Sequence, residues 1–137
     1  MREEGVQGLR GSGIKEAGEM RDHRRLKAFD LADEVALETY RLTKSFPKEE
    51  VYGLIAQMRR AAVSISSNIV EGCARDSRAE YLRFLEISFG SARELGYQAS
   101  LAERLRYFGK EEGSAFLGKL DECEKVLAAL IRSVRES

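Results

Sequence analysis

From Val51 to Gly72 the chain reads VYGLIAQMRRAAVSISSNIVEG, and charge within it is confined to Arg59, Arg60 and Glu71. Over the whole chain 34% of residues are charged, so this helix-forming segment is short of the ionised side chains that a solvent-facing surface carries. At about 100° per residue it resolves into three arcs. Val51, Leu54, Met58, Ala62, Ile65 and Ile69 share one arc and predict the core face. Gln57, Arg60, Ser64, Asn68 and Glu71 form a polar stripe, and Tyr52, Ala56, Val63, Ser67 and Val70, with Arg59 among them, make the third arc. A bundle helix ordinarily turns a broad charged side to water. Small and apolar residues off the core face therefore predict a surface covered by another subunit, and so a homo-oligomer. Cover by the long third helix and the N-terminal segment of the same chain is the alternative.

The flanking residues extend this helix into a bundle. Leu31, Val35, Thr39, Leu42 and Phe46 keep the three-to-four spacing of one helix face, and Pro47 stops that helix. Pro47-Lys48-Glu49-Glu50 places proline and acids where the second helix begins, and Gly72 stands where a C′ glycine ends it. Ser77 with Glu80 reads as a capping box for a third helix that runs to about Phe108, before Gly109, and spans roughly 45 Å. Its seam is Leu85, Ser88, Ala92, Leu95, Ala99 and Ala102, small enough for close helix approach. Phe116, Leu120, Cys123, Leu127, Leu130 and Val134 form a heptad seam on a fourth helix, which wants near-parallel packing. Short connections force consecutive helices antiparallel. One proline and no β-branched run leave a sheet nowhere to form. The expected fold is all-α, an antiparallel up-down-up-down four-helix bundle over residues 26–137.

Residues 1–25 differ: Gly5, Gly8, Gly11, Gly13 and Gly18 occur with no aromatic residue, which predicts a flexible arm. It ends in Arg21, Arg24 and Arg25, with His23 beside them and Lys27 following, either a solvated helix approach or a phosphate contact. Met20 offers a second possible start codon.

The composition narrows function. A chain of 137 residues makes one domain with a real core. Its 23 basic and 23 acidic residues balance, so nucleic-acid or membrane attraction would have to come from a local patch. Arg75, Arg78 and Arg83 are the best candidate phosphate patch, but Asp76, Glu80 and Glu86 interleave with them, and a solvated ion-pair surface accounts for the same residues. The polar stripe of the second helix also admits two accounts. It could line a ligand site, or form a hydrogen-bonded layer with Glu94, Ser91 and Ser88 of the third helix that fixes register. His23 is the only histidine, which removes Ser–His and Cys–His nucleophile systems and the Glu-x-x-His ligation of di-iron bundles. Phosphate-binding glycine loops are missing. Cys73 and Cys123 belong to no metal-ligand spacing and are expected to be reduced thiols in or near a core. The chain shows no apolar run of membrane-span length and no signal-peptide segment. These features predict a cytoplasmic protein that is not an enzyme and carries no cofactor and no metal.

The stretch from Phe46-Pro47-Lys48-Glu49-Glu50-Val51-Tyr52-Gly53-Leu54, through Gln57-Met58-Arg59-Arg60-Ala61-Ala62-Val63-Ser64-Ile65 and Asn68-Ile69-Val70-Glu71-Gly72, closely resembles the four helix bundle protein family, also called 23S rRNA-intervening-sequence or S23-like proteins. Arg83-Phe84-Leu85, Gly90-Ser91 and Glu94-Leu95 continue the match, which covers about Leu26 to Val134. A tryptophan common in the family's first helix is missing near Leu31, and Ser66, Val70 and Ser88 stand where proline and alanines are frequent. The resemblance implies a bundle of the same kind, assembly as a ring-like homopentamer, and an origin in reading frames inside ribosomal RNA insertions. A more distant similarity to the accessory protein of diversity-generating retroelements implies RNA or DNA, and a reverse transcriptase or other protein, as partners. Arg59, Arg75, Arg78 and Arg83 are the expected nucleic-acid contacts; a protein-binding scaffold is the alternative.

Overall fold

The structure is a computed structural model that describes residues 21–137. Among the described residues there are four long helices and no strand: α1 Lys27–Thr43, α2 Leu54–Cys73, α3 Arg78–Arg104 and α4 Lys110–Glu136. α1 packs on α2 and α4, and α3 packs on α2 and α4, so the helices occupy the corners of a square. Cross-helix contacts give the directions. Arg93 pairs with Glu124 and Arg135 with Glu86, so α3 and α4 run oppositely. Ser64 meets Ser91 while Ser88 reaches the Ile65 carbonyl, so α2 and α3 do too.

The expected core faces are the buried ones. Leu31, Val35, Thr39, Leu42 and Phe46, the six seam residues of α3 and the six of α4 are all buried. Thr39 and Thr43 are tolerated inside because each hydroxyl donates to the carbonyl four residues back, on Val35 at 2.7 Å and on Thr39 at 2.8 Å. Small residues on the α3 seam let α2 come near enough for the Ser88 hydroxyl to donate to the Ile65 carbonyl at 2.7 Å.

The boundaries depart from expectation in instructive ways. The segment after Pro47 is not continuous with α2: Lys48–Glu50 forms a 3-10 turn and the α-helix starts at Leu54. The helical phase restarts there, so Ile55 is buried and Val51 is 51% exposed, which removes Val51 from the core face. Glu50 holds this corner. Its Oε1 accepts from the Leu54 N–H at 3.0 Å, and its Oε2 accepts from the Tyr107 hydroxyl at 2.8 Å, tying the α1–α2 connection to the α3–α4 loop. Phe46 plugs the same end, with Tyr107 and Phe108 rings 5.3 and 6.2 Å away. α3 ends at Arg104, earlier than expected. Arg106 takes a left-handed conformation, φ 63°, while the Tyr107 N–H bonds the Ala102 carbonyl and the Arg106 N–H the Glu103 carbonyl. That is a Schellman ending with arginine where glycine is usual. At the start of α3 the Ser77 hydroxyl accepts from the Glu80 N–H, as its spacing predicts.

Gly72 is not a left-handed cap but the penultimate residue of α2. Its missing Cβ allows close approach: a carbon there would lie 3.0 Å from Phe84 Cβ and 3.2 Å from Tyr81 Cδ1. Residues 1–20 of the expected arm lie outside the described residues. The rest of that arm is docked. His23–Arg25 forms a 3-10 turn, His23 packs edge-on against Phe29 at 4.8 Å, and Arg21 donates to the Arg75 carbonyl at 2.8 Å with its guanidinium 4.0 Å above the Tyr81 ring.

The Glu50 corner makes stability depend on pH. The Leu54 N–H first, and the Tyr107 hydroxyl second, hold the Glu50 carboxyl below its ordinary value of 4.5. A carboxyl depressed in the folded state stabilises above its unfolded pKa, and that contribution is lost as pH falls through the folded one. Glu50→Gln should therefore melt below the parent at neutral pH, and the gap should close as pH drops below 4.5. A gap independent of pH would remove the ionised carboxylate from the account.

Candidate functional site

The side of α2 turned away from the core is open. Tyr52 is 93% exposed, Val63 43% and Val70 36%. Tyr40 of α1, 43% exposed, borders the same surface beneath the Arg59 guanidinium. Between α1 and α2 it sinks into a groove of about 600 Å³, walled by Tyr40, Val51, Ile55, Arg59, Arg60 and Val63. Ser64 and Ser67 add hydroxyls, and no carboxylate lines the groove. Arg59 is fixed as a wall rather than free: its Nε donates to the Thr43 hydroxyl at 2.9 Å and its guanidinium lies 4.5 Å above the Tyr40 ring. Tyr40 was legible only as an aromatic residue lying off the buried face of α1. Its place beside α2 was not.

The expected polar network of Gln57, Arg60, Ser64, Asn68, Glu71 and Glu94 does not converge. Its real centre is smaller. The Ser64 and Ser91 hydroxyls are 2.7 Å apart, and Asn68 Nδ2 donates to the Ser64 carbonyl at 2.8 Å and hydroxyl at 2.9 Å. Glu71 pairs with Arg75 instead, and Glu94 accepts from Gln98 at 3.3 Å. Gln57 and Arg60 are exposed. A packed interface needs only the short side chains to meet, and the long ones reach water.

The expected nucleic-acid contacts do not form one patch either. Arg59 sits near the start of α2 and Arg75 just beyond its end, sixteen residues or about 24 Å along the helix. Arg75 pairs with Glu71, and Arg78 donates to the Ser137 carbonyl and hydroxyl. Arg75 and Arg83 do converge on one ring, their guanidinium carbons 4.9 and 4.6 Å from the centre of Phe84. Phe84 is the residue that sequence spacing missed there.

Both thiols are buried and unpaired, and burial pushes Cys73 up to about 11 and Cys123 to about 12, where neither is a nucleophile near neutral pH. Burial likewise raises the Tyr81 hydroxyl, which lies beside Cys73. Among the described residues no group of three or more His, Cys, Asp or Glu could hold a metal ion, and no helix is long and apolar enough to cross a membrane.

Fold and surface together define a small antiparallel four-helix bundle with an uncovered, charge-poor outer face. The 23S rRNA-intervening sequence protein family matches residues 24–129, and the chain belongs to that family. A crystal structure of a protein of unknown function from the S23 ribosomal protein family, from Bacteroides thetaiotaomicron VPI-5482, superposes with a TM-score of 0.71 at 24% identity. The match covers 77% of this chain and 95% of that one, and the likeness is one of fold. No functionally curated protein matches the sequence.

Proposed function

We infer that the protein is a non-catalytic, cytoplasmic helical bundle that works by assembling with copies of itself through the outer face of α2, in a ring of about the pentameric size its family resemblance implies. The observation that supports this most directly is the exposure of Val63 and Val70 on α2, and of Tyr52 in the turn before it, on a side with almost no charge to solvate it. Burying a valine or aromatic side chain contributes about 1.5–3 kcal/mol, and a handful of such residues suffices for a specific interface. Multi-angle light scattering tests it: a mass several times 15.4 kDa is expected, and a monomer at all accessible concentrations would sink the idea.

Contact with RNA or DNA is the second reading, and the Arg75–Phe84–Arg83 cluster is what favours it. Two guanidinium groups over an aromatic ring can meet a phosphate and a base at once. The family's name ties it to insertions in 23S rRNA, and a reverse transcriptase or another protein would be a further partner of the assembly. Binding to single-stranded RNA should fall steeply between low and physiological salt. It should also be lost in the Arg75→Ala/Arg78→Ala/Arg83→Ala variant while the oligomer persists. No binding at low salt would leave the scaffold without a nucleic-acid role.

A further inference from the structure

Cys73, the last residue of α2, is only 2% exposed, and the strap Arg21–Leu26 crosses that end of the bundle. The strap packs on α1 and α2 and reaches Tyr81 of α3. It is fastened at two points. Leu26 is a core residue, and Arg21 donates to the Arg75 carbonyl at 2.8 Å while its guanidinium lies 4.0 Å above the Tyr81 ring. Between them runs a single 3-10 turn whose Asp22–Arg24 pair lies within the strap, and Leu26 gives α1 no side-chain cap. A segment held by so few bonds opens at far smaller cost than packed helices, whose parting approaches the opening of the whole fold.

Under Arg21 lies an unmet donor. Tyr81 is fully buried, and its hydroxyl sits beside the Cys73 sulfur without a hydrogen-bond partner. Burying a hydroxyl in that way is costly, and this one faces the sulfur to which a substituent would be attached. The packing around the thiol has no slack while the strap is closed. A carbon added at the neighbouring Gly72 would stand 3.0 Å from Phe84 Cβ and 3.2 Å from Tyr81 Cδ1. Cys123 provides the contrast: it stands in the middle of α4, fully buried, and is reached only by parting the helices.

We propose that Cys73 is a gated modification site: the strap opens without the bundle, the bared thiol exchanges with a small disulfide, and the mixed disulfide keeps the strap from closing. In the exchange the Cys73 thiolate attacks one sulfur of the disulfide. The new S–S bond forms as the old one breaks, the other half leaves as a thiolate, and the Cys73 proton goes to solvent. Desolvation is the main reason the closed thiol sits at about 11, and opening relieves it toward the ordinary 9.0; the nearby charge of Arg21, which favours the thiolate, is the smaller effect. The state of the thiol then sets whether Arg21 stays bound to Arg75 and Tyr81.

Exposure of the full-length protein to excess glutathione disulfide, with each cysteine followed by peptide mass spectrometry, tests the gate. Cys73 should be modified at least about tenfold faster than Cys123, whose rate also reports the integrity of the bundle. Arg21→Ala should speed Cys73 by about a further fivefold and leave Cys123 unchanged. Tyr81→Phe keeps the ring under Arg21, so its Cys73 rate should stay within about twofold of the parent's. Trypsin reads the strap itself: cleavage after Arg24 and Arg25 should be faster in the glutathionylated protein and return to the parent's rate after dithiothreitol. Equal rates at the two cysteines, or an Arg21→Ala effect shared by both, would mean that only the whole bundle opens, and the gate falls. A large acceleration in Tyr81→Phe overturns the fastening by Arg21, and cleavage indifferent to the state of Cys73 overturns the lock.

Discussion

Val63→Asp is expected to reduce the solution mass to the 15.4 kDa of one chain while leaving the helix content unchanged. Val63 is 43% exposed and contributes nothing to the buried core, so removing its isopropyl group leaves no cavity in the bundle. A carboxylate at its place is well solvated in a free chain. In an assembly it would be desolvated at the centre of an apolar contact, where an unpaired charge costs several kcal/mol, enough to raise the dissociation constant by more than about a hundredfold. The helical neighbour two positions on supplies the contrast: Ile65 is fully buried, and aspartate there should unfold the protein rather than dissociate it. An oligomer of unaltered mass in Val63→Asp would place the interface elsewhere.

Leu95→Ala carries the largest expected loss of stability, about 2–5 kcal/mol. Leu95 is fully buried on a seam whose other members are mostly serine and alanine: Ser88, Ala92, Ala99 and Ala102. Those residues let α2 and α3 approach closely, but none has side-chain atoms that could swing into the space a leucine leaves. The cavity would stay open, and the cost should lie toward the upper part of the range. Denaturant midpoints at one fixed protein concentration give the measurement, because the proposed self-association would add its own concentration-dependent stabilisation. A loss under about 1 kcal/mol would mean that the helices collapse together and that the small-residue seam is softer than its hydrogen bonds suggest.

Much of the bundle was legible along the chain because helical periodicity is a local property. The buried faces of α1, α3 and α4 follow from apolar spacing alone, and Ser77 declares the start of α3 by a bond to a residue three positions away. The charge-poor arc of α2 was legible for the same reason, down to Tyr52, Val63 and Val70. Where α2 begins was not. Glu50 caps it while also bonding Tyr107, which is distant in the chain, and that shared carboxylate decides that Val51 faces water and Ile55 the core.

The arginines illustrate the other limit. Sequence can count cations but cannot say which are already engaged. Arg59 is held by Thr43 and Tyr40 of the preceding helix, Arg78 by Ser137 at the far end of the chain, and Arg75 and Arg83 share a ring that no charge pattern marks. Of the five-residue polar stripe only Ser64 and Asn68 stay linked, joined by Ser91 of α3, because only short side chains fit where two helices nearly touch.

Amino-acid order by itself therefore determined the number of helices, their inward faces and the one face poor in charge, since each depends on residues within a turn or two of one another. Only the folded chain decided the rigid Glu50 corner, the groove beside Arg59 and the tight fit of Gly72 against Phe84 and Tyr81. Those arise where segments remote in sequence are brought within bonding or contact distance, and spacing along a helix holds no record of that distance.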